Sequence, residues 1–306
     1  MNTRARCLVG LLLLAILIGS GIALIRAGSY GMTIFVTYPV LLGGTVSWVF
    51  RPATKAQAVK LGAVAALAAS AFLLLLGMEG LICIVVAFPL TAPLSVLGSW
   101  LVYQADEPKR ALRGLGMLLL LPPGILWDAK AVPPVYEVHS SIVIAASPEQ
   151  VWKHIVAFSE LPEPHEWFFR AGLAYPKQAR MVGSGAGATR YCDFSTGPVV
   201  EPVEVWNEPR LLRFRVTGNP APLHEWSPYP RVLPKHLHGY LVSRQGQFLL
   251  TALSGNRTLL EGTSWYQHGM WPAGYWRLWS DAIIHRIHLR VFTQIKTLAE
   301  KDARSW

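Results

Sequence analysis

"VHSSIVIAASPEQVWKHI", residues 138–155, follows a long succession of apolar segments and is unlike them. Val138–Ala145 is rich in β-branched residues and reads as a strand. Ser147 suits a helix N-cap, Pro148 the first helical position, and Glu149 and Gln150 the first turn. Val151, Trp152, Ile155 and Val156 then recur at helical spacing. A chain that has been continuously apolar starts again here as a water-soluble α+β unit. The division expected is an apolar region, 1–130, and a second domain, 131–306.

Composition agrees with that division. The 306 residues are 52% hydrophobic and 15% charged, against about 25% charged in an ordinary soluble protein. The net charge is +10, but from Ala131 onward eighteen Lys/Arg face fourteen Asp/Glu, a mild excess. No basic run of the kind a nucleic-acid surface needs is present, so nucleic acid is not an expected partner. Cys7, Cys83 and Cys192 are too few and too scattered for a disulfide framework or a cysteine-based zinc site.

Five apolar stretches precede residue 131: Leu8–Ile25, Gly31–Phe50, Leu61–Gly77, Leu81–Tyr103 and Ala111–Trp127. About 20 apolar residues cross a bilayer; the fifth stretch is short and holds Pro122-Pro123. Arg4, Arg6, Arg51, Lys55, Lys60, Lys109, Arg110 and Arg113 fall on one set of connections, and only Arg26 and Lys130 on the other. That bias predicts an integral protein of the bacterial inner membrane with a cytoplasmic N-terminus. The side of the C-terminal domain then depends on the fifth segment: extracytoplasmic if it crosses. Ionisable residues are nearly absent from the segments, so the region reads as an anchor rather than an ion path. Pro89, Pro93 and Gly43-Gly44 are read as helix-packing features.

Beyond the opening strand and helix, a short helix is expected around His165–Ala171. Strands are expected at Ala188–Phe194, Val199–Trp206, Arg210–Thr217, Gly239–Ser243, Gln247–Leu253 and Arg257–Gln267. Gln245-Gly246 and Gly255-Asn256 read as hairpin turns. Leu212, Phe214 and Val216 alternate with Arg213, Arg215 and Thr217, a half-buried strand. Trp276, Trp279, Ile283, Ile287, Val291, Ile295 and Leu298 form one stripe along a long final helix starting near Pro272.

The sequence of strand, "SPEQVWKHIVAFSELP" helix pair, "GSGAGATRYCDFSTGPVVEPVEVWNEPRLLRFRV", hairpins and long closing helix resembles a known group. It is the polyketide cyclase/dehydrase and lipid-transport group of the START-like, Bet v 1-like (SRPBCC) superfamily. The resemblance covers about residues 136–302. It implies an α+β helix-grip domain, a curved antiparallel sheet around a long C-terminal helix with an apolar cavity between, here preceded by an α-helical transmembrane region. In that fold Tyr191, Trp206, Phe214, Trp265, Trp276 and Trp279 are the expected cavity lining. The superfamily carries no universal catalytic motif.

Other candidate chemistry is weaker. Gly183, Gly185 and Gly187 lack the spacing and βαβ context of a nucleotide loop. His236 and His238, with His224, Glu225 and His268, could join in space, but two histidines do not make a metal site and none is expected. Asp281, His285 and His288 share a face of the final helix and read as its solvated flank. Glu261 lies on a strand with Leu259, Thr263 and Trp265 as possible face-mates. It is a weak candidate acid or base if that face lines the cavity, and otherwise a surface carboxylate paired with an arginine. Trp271 and Tyr275 could serve the core or a lipid interface. No cofactor is expected. The function expected is membrane-anchored binding or transport of a hydrophobic small molecule or lipid. The alternatives are a cyclase or dehydratase acting on a polyketide-like substrate, and a structural membrane protein docking a partner.

Overall fold

A computed structural model describes residues 3–105, 116–230, 232 and 234–304. The start of the fifth apolar stretch, with Lys109, Arg110 and Arg113, lies outside the described residues. The chain divides into two compact units. One comprises 1–132 with 225–236 and 269–275; the other comprises 133–224, 237–268 and 276–306.

In the first unit, helix α1 (Thr3–Ala27) is followed by a π-helical turn, Thr33–Thr37, leading into α2 (Tyr38–Phe50). Helices α3 (Lys55–Leu75) and α4 (Leu81–Tyr103) follow. A 3₁₀ turn, Met117–Leu120, then opens α5 (Leu121–Lys130). Arg4–Ala27, Thr33–Phe50, Lys55–Leu75 and Leu81–Tyr103 are long and apolar enough to cross a membrane. Their interior is built from small residues, as van der Waals packing in lipid favours. A Cβ at Gly43 would overlap the Ser95 carbonyl, and one at Gly98 the Val40 carbonyl, so α2 and α4 cross backbone to backbone. Buried Ser95 and Ser99 on α4 donate to the Gly62 and Ala58 carbonyls of α3 at 2.8 and 2.7 Å.

At one end of this unit, the Asp128 carboxylate of α5 accepts from the Met32 and Thr33 N–H groups at 2.6 and 2.9 Å. There too, Tyr30 donates to Glu79 in the α3–α4 connection at 2.7 Å. Trp271 packs edge-on against Trp127 with centroids 5.9 Å apart, and the Tyr275 hydroxyl reaches the Val86 carbonyl.

The second unit is a seven-stranded antiparallel sheet curled around a long helix. In chain order its strands are β1 (Val135–Ile144), β2 (Pro176–Val182), β3 (Thr189–Phe194), β4 (Gly197–Asn207), β5 (Leu211–Arg215), β6 (Leu241–Leu253) and β7 (Arg257–His268). They lie in the order β1-β7-β6-β5-β4-β3-β2. Between β1 and β2 stand α6 (Pro148–Val156) and the short α7 (Trp167–Arg170); α8 (Ala273–Arg304) closes the chain. Ser147 and Gln150 form a reciprocal capping box with Pro148 at the first helical position.

Three elements depart from expectation. Gln245-Gly246 is no hairpin turn: β6 runs through it, with a register shift between Ser243 and Gln245. Glycine there leaves room for the Phe214 ring, which a Cβ would overlap. Strand β2 is not among the expected strands, since "PKQARMV" offers one β-branched residue; its ladder to β3 and a bridge from Ala179 to Phe158 hold it. On the Asp281, His285, His288 flank of α8, His288 turns inward to β1 and β7, while His285 remains exposed although it reaches Ser140.

Alternation fixes the two faces of the sheet. Arg190 and Cys192, Glu201 and Val203, Leu212 and Phe214, Phe248 and Leu250, and Leu260 point inward and are buried. Val291, Phe292, Ile295 and Ala299 of α8 meet them. The Phe292 ring lies where a Cβ on Gly262 would stand, so the helix presses directly on β7.

Candidate functional site

Two polar groupings interrupt this apolar interior. The first follows from strand register. Arg190 on β3 pairs with Glu201 on β4, and both side chains point inward. They form an ion pair with Arg190 only 2% and Glu201 6% exposed. The guanidinium carbon lies 5.6, 5.6 and 5.5 Å from the ring centroids of Phe158, Phe214 and Phe248. Burial would lower the Arg190 pKa, but the Glu201 carboxylate and the neighbouring Cys192 together outweigh it and hold the guanidinium above its ordinary value. Among the described residues, the Arg190 Nε–H, deep in this wall, has no hydrogen-bond partner. Burial pushes the neighbouring Cys192 thiol up to about 12, so it stays protonated and inert.

The second grouping lies where α8 crosses β1 and β7. Ser264 Oγ is 2.8 Å from His288 Nε2, and His288 Nδ1 is 3.0 Å from Ser140 Oγ. Ser140 Oγ is in turn 2.7 Å from His285 Nδ1. Burial first, then His285 and His139, push the His288 imidazole down to about 4. It is therefore neutral at pH 7, with one ring nitrogen donating and the other accepting. A consistent proton arrangement runs Ser264 to His288 to Ser140 to His285, the first three each donating once and His285 accepting. Beside it, Tyr266 donates to Asp281 at 2.5 Å, and Arg277 donates to the same carboxylate at 3.0 Å. Burial and then Asp281 raise the Tyr266 pKa. The groupings are linked through rings: His288 stacks on Phe292 at 5.8 Å, and Phe292 meets Phe248 at 6.3 Å.

Of the residues expected to line a cavity, Phe214 is inside, against Arg190. Trp206 is half-buried, edge-on to Trp152 at 5.4 Å. Trp276 is buried and Trp279 is 38% exposed. Tyr191 and Trp265 lie on the outer face: Arg180 covers the Tyr191 ring at 4.4 Å, and the Trp265 indole donates to Glu137 at 3.0 Å. Glu261 is also outside, with its carboxylate 3.4 Å from His139 Nε2; its partner is a histidine and not an arginine. The parity of β7 decides this, because Leu260, Gly262, Ser264 and Tyr266 take the inner face. His224, His238 and His268 do not assemble: His268 stacks on Tyr136 at 5.2 Å, His224 approaches the Ser195 carbonyl at 3.4 Å, and His238 is exposed. His236 and Glu225 belong to the first unit.

Sequence reasoning missed Arg190, Glu201, Ser140 and Ser264, and took His288 for part of a solvated flank. The available signal was an arginine in step with Cys192 on a strand whose partner carries a glutamate two residues from Val203. The first unit carries an apolar groove of about 270 Å³ lined by Met32, Val36, Val40, Leu120, Pro123 and Trp127, among others. That is slightly below the roughly 300–1,000 Å³ of ordinary ligand pockets.

No curated protein matches the chain. Among solved structures, norcoclaurine synthase from Thalictrum flavum is similar over 57% of this chain and 99% of its own, at 9% identity and TM-score 0.37. A protein from Nitrosospira multiformis is similar over 55% and 99%, at 17% identity and TM-score 0.35. The protein XoxI from Bacillus cereus is similar over 53% and 93%, at 17% identity and TM-score 0.33. Residues 136–260, largely within the second unit, match the family model described as polyketide cyclase/dehydrase and lipid transport.

Proposed function

We propose that this protein holds a hydrophobic small molecule or lipid inside its C-terminal unit while its N-terminal helices anchor it in a membrane. The observation that carries the reading is Arg190. A buried guanidinium with a free Nε–H, walled by phenylalanines, suits an apolar molecule bearing one oxygen acceptor. Glu201 already neutralises the arginine, so a carbonyl or hydroxyl oxygen fits better than a carboxylate. Phe158, Phe214 and Phe248 close over the guanidinium; a ligand enters by displacing them, and their rings become its lining. The family to which residues 136–260 are similar includes lipid transport, which supports the same reading.

An extracytoplasmic C-terminal unit is the orientation proposed. Supporting it are the distribution of Lys/Arg among the connections and the meeting of Tyr30, Glu79 and Asp128 at one end of the helices. That meeting brings the end of α5 back to the α1–α2 and α3–α4 connections, as a fifth crossing requires. A reporter enzyme fused after Trp306 tests it.

A second reading, acid–base catalysis on a bound substrate, is favoured by the Ser264–His288–Ser140 chain, whose neutral imidazole can accept a proton. Native mass spectrometry of the full chain in nanodiscs, followed by organic extraction, tests binding. A bound hydrophobic molecule that is lost in the paired variant Arg190→Met with Glu201→Leu, which leaves no buried charge unpaired, supports the proposal. A chain that never carries one defeats it.

A further inference from the structure

The first unit contains a side-chain cluster that the ligand-binding reading does not use. Glu79 immediately precedes the N-cap Gly80 of α4, and Cys83 lies one turn further on. The spacing of four puts both on one side of the helix start. His236, in the 3₁₀ turn Lys235–Leu237, is brought to them from 153 residues away. One ligand atom from each of the three lies within 4.8 Å of the others.

The surroundings of the cluster are those of a built site. Glu79 is 6% and His236 7% exposed. The imidazole lies between the other two groups, Nε2 being 2.7 Å from Cys83 Sγ and Nδ1 3.5 Å from Glu79 Oε2. His236 Nδ1 is buried and, among the described residues, has no hydrogen-bond partner. The Nδ1–Oε2 spacing is close to the roughly 3.3 Å between nitrogen and oxygen ligands of a tetrahedral ion, and Cys83, now facing Nε2, would turn toward the same ion on binding. Tyr30 donates to the other Glu79 oxygen at 2.7 Å and sets its ring edge on His236, centroids 4.7 Å apart. This is the outer support that orients a carboxylate ligand. Among the described residues, the ion pair made by Glu79 is with this histidine and not with a Lys or Arg. A buried carboxylate beside a thiol is costly without a compensating cation.

We propose that Glu79, Cys83 and His236 bind a divalent transition metal, zinc by the chemistry of the set. Thiolate and imidazole exclude magnesium and calcium, which take oxygen ligands. A thiolate and a carboxylate together balance the charge of a dication. Glu225 stands next to the cluster, its carboxylate held by the Ile82 and Cys83 N–H groups at 3.1 Å each. The ion would clamp segment 225–236 to the α3–α4 connection, a structural role within the first unit.

The test uses the full chain, purified through a tag without histidines and reconstituted in nanodiscs. After equilibration with zinc and removal of free ion, elemental analysis should find about one zinc per chain. Cys83→Ser and His236→Ala should each lower retention at least about tenfold, while Cys192→Ser, in the other unit, should retain it. Cobalt loading of the unsubstituted chain should give a near-ultraviolet thiolate-to-metal band. With Cys7 and Cys192 replaced by Ala, zinc should also protect the remaining thiol from maleimide. These last two readouts need no variant at the cluster, so a failure of Cys83→Ser to fold does not decide the matter. An unsubstituted chain that retains no zinc, shows no cobalt–thiolate band and gains no protection overturns the proposal.

Discussion

Arg190 and Glu201 are direct register partners on β3 and β4, and they close their ion pair inside the grip of sheet and helix rather than at its rim. Each charge is tolerable there only because of the other. Removing one partner of a buried pair costs about 3–5 kcal/mol, whereas replacing both by apolar groups is often neutral or stabilising. Glu201→Gln should therefore lower the thermal midpoint of the second unit by about 10 °C. Arg190→Met with Glu201→Leu should recover most of that loss in the same melting experiment. If the double variant melts as low as the single, the pair contributes more than compensation of its own burial.

His288 makes a prediction about pH. Its imidazole is held near 4 in the folded protein, against about 6.5 in an unfolded chain. Between those values the unfolded state binds the extra proton, so stability rises with pH through that window. The contribution is present in full above pH 7 and lost as the pH falls toward 4, roughly 2–3 kcal/mol over the span. His288→Gln keeps a side chain able to reach the Ser140 and Ser264 hydroxyls and does not titrate. Denaturant unfolding at pH 7.5, 6 and 5 should show a shallower pH slope for the variant. Equal slopes would mean that His288 titrates normally when folded.

That histidine also shows what the sequence could and could not disclose. The capping box at Ser147 and Gln150, the Gly255-Asn256 turn and the in–out alternation of Leu212 and Phe214 with Arg213 and Arg215 were legible, because each depends on neighbours in the chain. The helical stripe from Trp276 to Leu298 was legible for the same reason. Asp281, His285 and His288 lie at the edge of that stripe. Whether an edge meets water or a strand depends on the width of the curled sheet, which no local pattern encodes. Glu261 and Trp265 share the difficulty: alternation puts them on one face, but only the press of Phe292 on Gly262 says that it is the outer one. His236 could not be matched with Glu79 and Cys83, because the three come together only through tertiary folding.

The Gly262–Phe292 contact can be tested directly. A methyl group on Gly262 would overlap the Phe292 ring, and the glycine has no unusual backbone angle to complicate the result. Gly262→Ala should destabilise by about 1–3 kcal/mol through overpacking. Phe292→Leu alone should also destabilise, by opening a cavity. Combined, the two should cost less than the sum of their separate effects, because each relieves the other's misfit. Strict additivity in chemical unfolding would place the helix further from β7 than this contact requires.

The inner and outer faces of the sheet make the sharpest prediction about binding. Phe214 is buried, 5.6 Å from the Arg190 guanidinium and 6.0 Å from the centroid of Phe248. Tyr191, one residue along from Arg190, points the opposite way under Arg180. Truncating Phe214 to Ala would cost about 3–5 kcal/mol and confuse unfolding with loss of ligand. Phe214→Leu keeps most of the volume and removes only the ring, so the fold should survive while one wall of the proposed site is lost. Tyr191→Leu removes a surface cation–π contact of about 0.5–1 kcal/mol and should leave binding untouched. Displacement of an environment-sensitive hydrophobic dye from the full chain measures both. Weakened binding in Phe214→Leu with unchanged binding in Tyr191→Leu puts the ligand inside the grip. Equal weakening in the two variants, or weakening only in Tyr191→Leu, removes the interior as the site.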